Sequence, residues 1–97
     1  MKVLQIHSED NVAVALDAIQ AGVEARVLGA QEELSVKARQ EIPFAHKVAL
    51  RPIAKGESIV KYGAPVGIAT ANIATGDWVH THNVQSAFAV RHGEQTS

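Results

Sequence analysis

Two histidines separated by one residue form the densest group of chemically active side chains, between Trp78 and Asn83. If this stretch is a strand, His80 and His82 point to the same side, because side chains two residues apart share a face. Neutral imidazole binds first-row metals and titrates near physiological pH. The pair is therefore a candidate for metal ligation or for acid–base catalysis. The alternative is that both rings lie on a solvent-facing strand and have no function.

A metal site would need at least one protein ligand besides His80 and His82, and the sequence leaves open whether one exists. The other donors that qualify by type are His7, His46, Asp77 and Asn83. The sequence contains no cysteine, so disulfides and thiolate metal sites are excluded.

His46 and Lys47 form a second candidate group, since they follow Pro43 and open a predicted strand at a rim. A lysine there can pair with a substrate carboxylate as a point charge. The alternative is a solvated lysine beside a partly buried histidine. We take His46, Lys47 and Asn83 as candidate substrate-binding residues, and His80 and His82 as candidate catalytic residues.

The elements that must position these residues are short and separated by glycine, which is typical of a compact β-rich fold with bends. One helix is predicted over residues 12–19, with N-cap residues in 8–11 and Gly22 where it should stop. Strands are predicted at residues 2–7, 24–28, 34–39, 46–50, 58–62, 66–69 and 78–82. The predicted class is mainly β with one short helix, an α+β arrangement.

Composition narrows the classes of partner. A chain of 97 residues makes one domain with a thin core and no deep cleft. A net charge of −1, with acidic and basic residues interspersed, gives no electrostatic footprint for nucleic acid or an anionic membrane. No apolar run approaches the length of a signal peptide or a membrane span, so the cytoplasm is the expected compartment.

Several ordered motifs together resemble one known family. Residues 53–67 (IAKGESIVKYGAPVG) are preceded by 46–50 (HKVAL) and followed by 73–83 (IATGDWVHTHN), and the chain opens with 6–16 (IHSEDNVAVAL). This series closely resembles the SAF-type, or β-clip, domain of the altronate dehydratase family. The resemblance implies a β-clip domain over residues 1–90, followed by a flexible tail at 91–97.

The resemblance also implies a function. Altronate dehydratase, galactarate dehydratase and the small subunit of sulfolactate sulfo-lyase share this domain, and the ending His80-Thr81-His82-Asn83 favours altronate or sulfolactate over galactarate. The implied reaction is a β-elimination from a hydroxy acid, giving a 2-keto-3-deoxy acid in the altronate case. It is assisted by a divalent metal (Fe²⁺, Mn²⁺ or Mg²⁺) held mainly by a large catalytic subunit or domain.

On this interpretation the chain gates or completes the active site of a lyase and is inactive alone. Its expected partners are the large subunit, a small hydroxy acid and, as a further option, copies of itself. A carbohydrate-binding or oligomerisation module without catalytic groups is the competing hypothesis.

Overall fold

The computed structural model describes residues 1–30 and 32–86. In this part of the chain there are nine strands and no helix, so no helix there is long and apolar enough to cross a membrane. The predicted boundary at residue 90 and the predicted tail at 91–97 lie outside the described residues. The strands are β1 (Lys2–Leu4), β2 (Val12–Ala15), β3 (Glu24–Leu28), β4 (Leu34–Lys37), β5 (Lys47–Ala49), β6 (Ser58–Lys61), β7 (Ala64–Ala69), β8 (Trp78–Val79) and β9 (Val84–Ser86).

The strands form two sheets. Six of them lie in the order β4-β3-β1-β2-β5-β8, and the other three lie in the order β6-β7-β9. The β1 and β3 strands are parallel, and every other pair is antiparallel. The mainly β class predicted from the sequence is therefore confirmed.

The helix predicted over residues 12–19 is wrong. Val12 to Ala15 form β2, and Ile19 makes an isolated bridge with Ile42. Val12 packs in one hydrophobic cluster, whereas Ala13 and Ala15 pack in the other. Because β2 is buried on both faces, its residues are almost all apolar, and periodicity alone does not distinguish such a run from a buried helix.

Two hydrophobic clusters make up the core. The larger lies on the six-stranded sheet and is built from Val3, Ala13, Ala15, Ile19, Ala25, Val27, Val36, Ala38, Ile42 and Val48. The smaller joins that sheet to the three-stranded one and contains Val12, Ala49, Ile53, Ile59, Ala69, Ile73 and Val79. Both clusters consist of aliphatic side chains. The edge of the first sheet that is formed by β5 and β8 lies beside the second sheet.

Asp10 and Asn11 fasten the two sheets together, in place of the helix capping that the sequence favoured. The Asn11 side chain donates to the Ser58 carbonyl oxygen at 2.9 Å and accepts from the Val60 N–H at 2.8 Å. Asn11 is fully buried, so these bonds also satisfy an amide that water does not reach. The β6–β7 hairpin is thereby held against the segment that precedes β2.

Candidate functional site

The strand that was predicted to carry both histidines is shorter than expected and contains neither of them. It ends at Val79, and residues 80–83 form a turn. The Asn83 side chain builds this turn, since Oδ1 accepts from the His80 N–H at 2.9 Å and Nδ2 donates to the Trp78 carbonyl oxygen at 2.8 Å. An asparagine side chain that bonds nearby backbone groups competes with a strand ladder. The period-two argument for His80 and His82 therefore does not apply.

Trp78 nevertheless brings three imidazoles together. The His80 ring lies nearly parallel to the indole, with 5.2 Å between centroids and 8° between planes. The His82 ring is tilted at 5.1 Å from the same indole. Immediately before β5, His46 accepts a hydrogen bond at Nδ1 from the indole Nε1 at 3.1 Å, and its ring lies 4.7 Å from that of His80. We call Trp78, His46, His80 and His82 the imidazole cluster.

A cavity of about 340 Å³ opens beside this cluster, between the β5–β8 edge and the second sheet. His80, Lys47 and Lys61 bring positive or titratable groups to its wall, and none of the described residues that line it is acidic. The complete lining is Lys47, Ile59, Lys61, Tyr62, Val66, His80, Thr81, Val84 and Ser86. A small concave site with an apolar wall and a few convergent polar groups is typical of a ligand site.

The charges at this cavity favour an anion. Burial, followed by repulsion from the Lys61 ammonium, holds the pKa of Lys47 below its ordinary value. In the described residues the ion pairs are made by arginines, and neither Lys47 nor Lys61 pairs with a carboxylate. An anionic ligand would therefore relieve the repulsion between the two ammonium groups.

His80 is the titratable imidazole on the cavity wall. Desolvation of its ring, followed by the charges of His46, Lys47 and His82, holds its pKa below the ordinary value. The ring is therefore mainly neutral at physiological pH, and a neutral imidazole can accept a proton. His80 thus has the protonation state of a general base.

The β6–β7 turn supplies the outer wall of the cavity. Tyr62 and Gly63 both have positive φ, at 57° and 73°, as in the tight two-residue turns that join antiparallel strands. Tyr62 is 57% exposed, and the Lys61 Nζ lies 4.7 Å from the centre of its ring. The carboxylate of Asp10 accepts from the backbone N–H groups of Tyr62 and Gly63, at 3.0 and 2.8 Å, and so fixes this wall.

The histidine pair does not gain the further ligands that a metal needs. No group of three or more His, Cys, Asp and Glu side chains is close enough to hold a metal ion within residues 1–30 and 32–86. Asp77 instead accepts from the Ala74 N–H at 2.8 Å and pairs with Arg39 at 3.3 Å. The described residues therefore do not fit a resident metal, and the imidazole cluster is better suited to proton transfer and hydrogen bonding.

A second cavity, of about 420 Å³, is larger but has fewer side chains that could bind or act on a ligand. It is lined by Gly22, Lys37, Ala38, Arg39 and Thr75. Its Arg39 already pairs with Asp77, and it contains none of the candidate residues. The smaller cavity is the stronger candidate despite its size, because it contains His80 and two lysines that pair with no carboxylate among the described residues.

Comparison with known proteins decides the family. The model of the altronate/galactarate dehydratase SAF domain matches residues 1–87. This chain belongs to that family. The resemblance noted in the sequence is thus confirmed over nearly the whole chain.

Relatives of this SAF domain include altronate dehydratases and a subunit of a sulfo-lyase. It is 44% identical over 86 residues to an altronate dehydratase of Escherichia coli and 39% identical over 83 residues to one of Bacillus subtilis. The matches cover 89% and 86% of this chain but only 17% and 16% of those enzymes. It is 29% identical to the (2R)-sulfolactate sulfo-lyase subunit alpha of Chromohalobacter salexigens, and that match covers 84% of the chain and 90% of the subunit.

The SAF domain brings together most of the residues that the sequence singled out. Lys47 and His80 meet at the cavity, and His46 and His82 join them through Trp78. Asn83 is only 8% exposed and its side chain is engaged in the turn, so its substrate contact stays a prediction.

Sequence reasoning missed Lys61 and Tyr62 as parts of the site, and it gave Trp78 no role of its own. The contacts of Trp78 with His80 and His82 are local, so the aromatic ring beside two histidines was a usable signal. Lys61 and Tyr62 reach the cavity only because the second sheet folds against the first, and no local pattern predicts that.

Proposed function

We propose that this SAF domain completes the active site of an altronate-type dehydratase, and that its cavity receives the carboxylate end of the hydroxy acid. The observation that carries the proposal is the convergence of Lys47, Lys61 and His80 on one small cavity that no acidic described residue lines. The relatives named altronate dehydratase support the reaction class. In this proposal the chain is a β-clip domain that acts in the cytoplasm, the compartment expected for sugar-acid metabolism.

The large partner holds most of the chemistry in this proposal. The altronate dehydratases are far longer than the segment that the chain matches, and a domain of 97 residues cannot enclose a sugar acid. A divalent metal, which we assign to the partner, would polarise the acid. We expect the isolated chain to bind weakly and to show no turnover.

The residues of the SAF domain have distinct tasks in this scheme. The ammonium groups of Lys47 and Lys61 neutralise the carboxylate, and the apolar wall excludes water. Neutral His80 can take the proton that leaves the carbon next to the carboxylate and return it to the hydroxyl on the following carbon, which then leaves as water. The enol that remains tautomerises to the 2-keto-3-deoxy acid, so one water is released for each acid consumed. His82, exposed on the same turn, is the second candidate for proton transfer.

A sulfolactate sulfo-lyase is the second candidate, and one observation favours it. The relative from Chromohalobacter salexigens is a separate subunit of which the match covers 90%, so a chain of this size occurs there as a free-standing partner. The ligand would then carry a carboxylate and a sulfonate, and a pair of lysines suits two anionic ends. The site and its cationic groups are the same in both proposals.

Co-expression with the large subunit or domain, followed by assays on altronate and on sulfolactate, tests the proposal. We expect the complex to dehydrate altronate and neither component to do so alone. If the complex cleaved only sulfolactate, the chain would instead be part of a sulfolactate sulfo-lyase, the second candidate. A stable complex whose activity on both acids is unaffected by omitting this chain would leave a docking, carbohydrate-binding or oligomerisation module.

A further inference from the structure

We propose that Trp78 is the positioning residue of the imidazole cluster, making His46 a hydrogen-bond donor through Nε2 and leaving His80 as the proton acceptor. The catalytic half of this inference rests on the proposed function. Its structural half concerns only the chain itself, and it follows from the contacts of one indole with three imidazoles.

The hydrogen bond between Trp78 and His46 decides which tautomer His46 adopts. An indole Nε1–H can only donate, so His46 Nδ1, 3.1 Å away, must be the acceptor. A neutral imidazole carries a single ring proton, and with Nδ1 accepting, this proton lies on Nε2. Neutral His46 therefore carries a donor at Nε2 and no free ring acceptor.

The stacking between Trp78 and His80 fixes the second imidazole differently. The two rings are nearly parallel, so the indole restrains the plane of the His80 ring and covers one of its faces. No hydrogen bond joins the His80 ring to the indole among the described contacts, so Trp78 leaves the tautomer of His80 unconstrained. Of these two imidazoles, only His80 lines the cavity.

Trp78 can impose this order because it is itself held firmly. Its backbone pairs with Val48 in the sheet, and its carbonyl oxygen accepts from Asn83 Nδ2 at 2.8 Å. Its backbone N–H donates to Gln40 Oε1 at 3.3 Å, and its ring packs against the larger hydrophobic cluster. The indole is therefore a rigid platform, as a residue that orients others must be.

A packing role is the competing explanation for Trp78, and it makes a different prediction. A tryptophan that only fills space would lower stability when replaced, but it would have no effect on where the proton of His46 resides. The Trp78→Phe variant separates the two roles, because it keeps an aromatic ring and removes the donor.

The experiment is ¹⁵N NMR of the histidine rings in the full chain at alkaline pH, where imidazole is neutral, with His46 assigned by its loss in His46→Gln. We expect a pyrrole-like Nε2 and a pyridine-like Nδ1 in the wild type, with scalar coupling across the Trp78–His46 hydrogen bond. In Trp78→Phe the tautomers should mix. Phe44→Leu is the matched control, since it alters an exposed ring two residues from His46 and should leave the tautomer unchanged.

A wild-type His46 with its proton on Nδ1 would overturn the inference, and so would an unmixed Nε2–H tautomer in Trp78→Phe. The wild-type spectra decide the first point even if the variant does not fold. In the assembled enzyme, Trp78→Phe should lower kcat by about tenfold, a fraction of what a proton-transfer group contributes. An unchanged kcat would overturn the catalytic half, whereas inactivity of the wild-type complex on both acids counts only against the proposed function.

Discussion

The carboxylate of Asp10 accepts a hydrogen bond from the backbone N–H of Gly63 at 2.8 Å, across 53 residues of sequence. The same carboxylate accepts from the backbone N–H groups of His7 and Tyr62, at 3.1 and 3.0 Å. One buried side chain thus ties the segment before β2 to the turn that forms the outer wall of the cavity. The shape of the candidate site depends on this contact.

Replacing Asp10 by Ala should lower the free energy of unfolding by about 2–3 kcal/mol. Hydrogen bonds to a charged group contribute about 1.5–3 kcal/mol, and the backbone donors would lose their acceptor. Chemical denaturation measures the change. Glu9→Ala is the matched control, because Glu9 is exposed and such substitutions shift stability by less than about 0.5 kcal/mol. Equal effects of the two substitutions would show that Asp10 does not hold the hairpin.

Acid should weaken the fold through Asp10. Burial by itself raises the pKa of Asp10, but hydrogen bonds from Gly63, His7 and Tyr62, helped by the charge of His7, bring the pKa below its ordinary value of 3.8. Below about pH 5 the unfolded chain therefore binds more protons at this site than the folded chain does, so stability falls as pH falls through the folded pKa.

The contribution of Asp10 to stability is complete above the ordinary carboxyl range and disappears in strong acid. Denaturation at a series of pH values between neutral and acidic should show a shallower acid limb for Asp10→Ala than for the wild type. Parallel curves for the two proteins would contradict the assignment of this pH dependence to Asp10.

Gly63→Ala should destabilise the chain more than Gly56→Ala does. Both glycines have positive φ, at 73° and 90°, so both substitutions incur the same kind of backbone strain, about 1 kcal/mol. A Cβ at Gly63 would also lie 2.9 Å from His7 Cδ2, whereas a Cβ at Gly56 would have no heavy atom within 4 Å. Melting temperatures measure the difference, and adding His7→Ala to Gly63→Ala should remove it. Equal losses for both glycine variants would rule out the predicted clash.

His80→Ala and His82→Ala should lower turnover of the assembled enzyme, while the melting temperature of this chain stays nearly unchanged. Their side chains lie on a turn whose shape depends on Asn83 and not on the imidazoles. Asn83→Ala is the comparison variant, and it should cost about 1–3 kcal/mol because two hydrogen bonds of a buried amide are lost. If a histidine variant melted several degrees lower but kept full activity, the histidine that was replaced would be a packing residue.

The strands predicted from the sequence correspond to the structure where one face is buried and the other is not. In β3, Ala25 and Val27 are buried while Glu24 and Arg26 are exposed, and this alternation is visible in the sequence. The β2 strand lacks this alternation of buried and exposed residues because both of its faces are covered. The β9 strand was not predicted from the sequence at all. Burial on two sides depends on the packing of the sheets, which local periodicity does not report.

The candidate site was predictable only in part for the same reason. The histidine pair and Lys47 were found from residue type and position, but the reason given for the pair failed because Asn83 ends the strand at Val79. Lys61 lies in another sheet, and its approach to Lys47 comes from tertiary packing. The cavity, which carries the functional argument, is therefore a property of the fold and not of any one motif.

The KM for altronate of the assembled enzyme, compared between Lys47→Gln and Lys55→Gln, tests most directly whether the cavity receives the carboxylate. Both substitutions remove one positive charge, but Lys55 is exposed and does not line the cavity. A lost charge-assisted hydrogen bond of about 1.5–3 kcal/mol corresponds to at least about a tenfold weaker interaction. We predict a rise in KM of that size for Lys47→Gln and almost none for Lys55→Gln. Equal KM values for both variants and the wild type would contradict the assignment of the cavity as the acid-binding site.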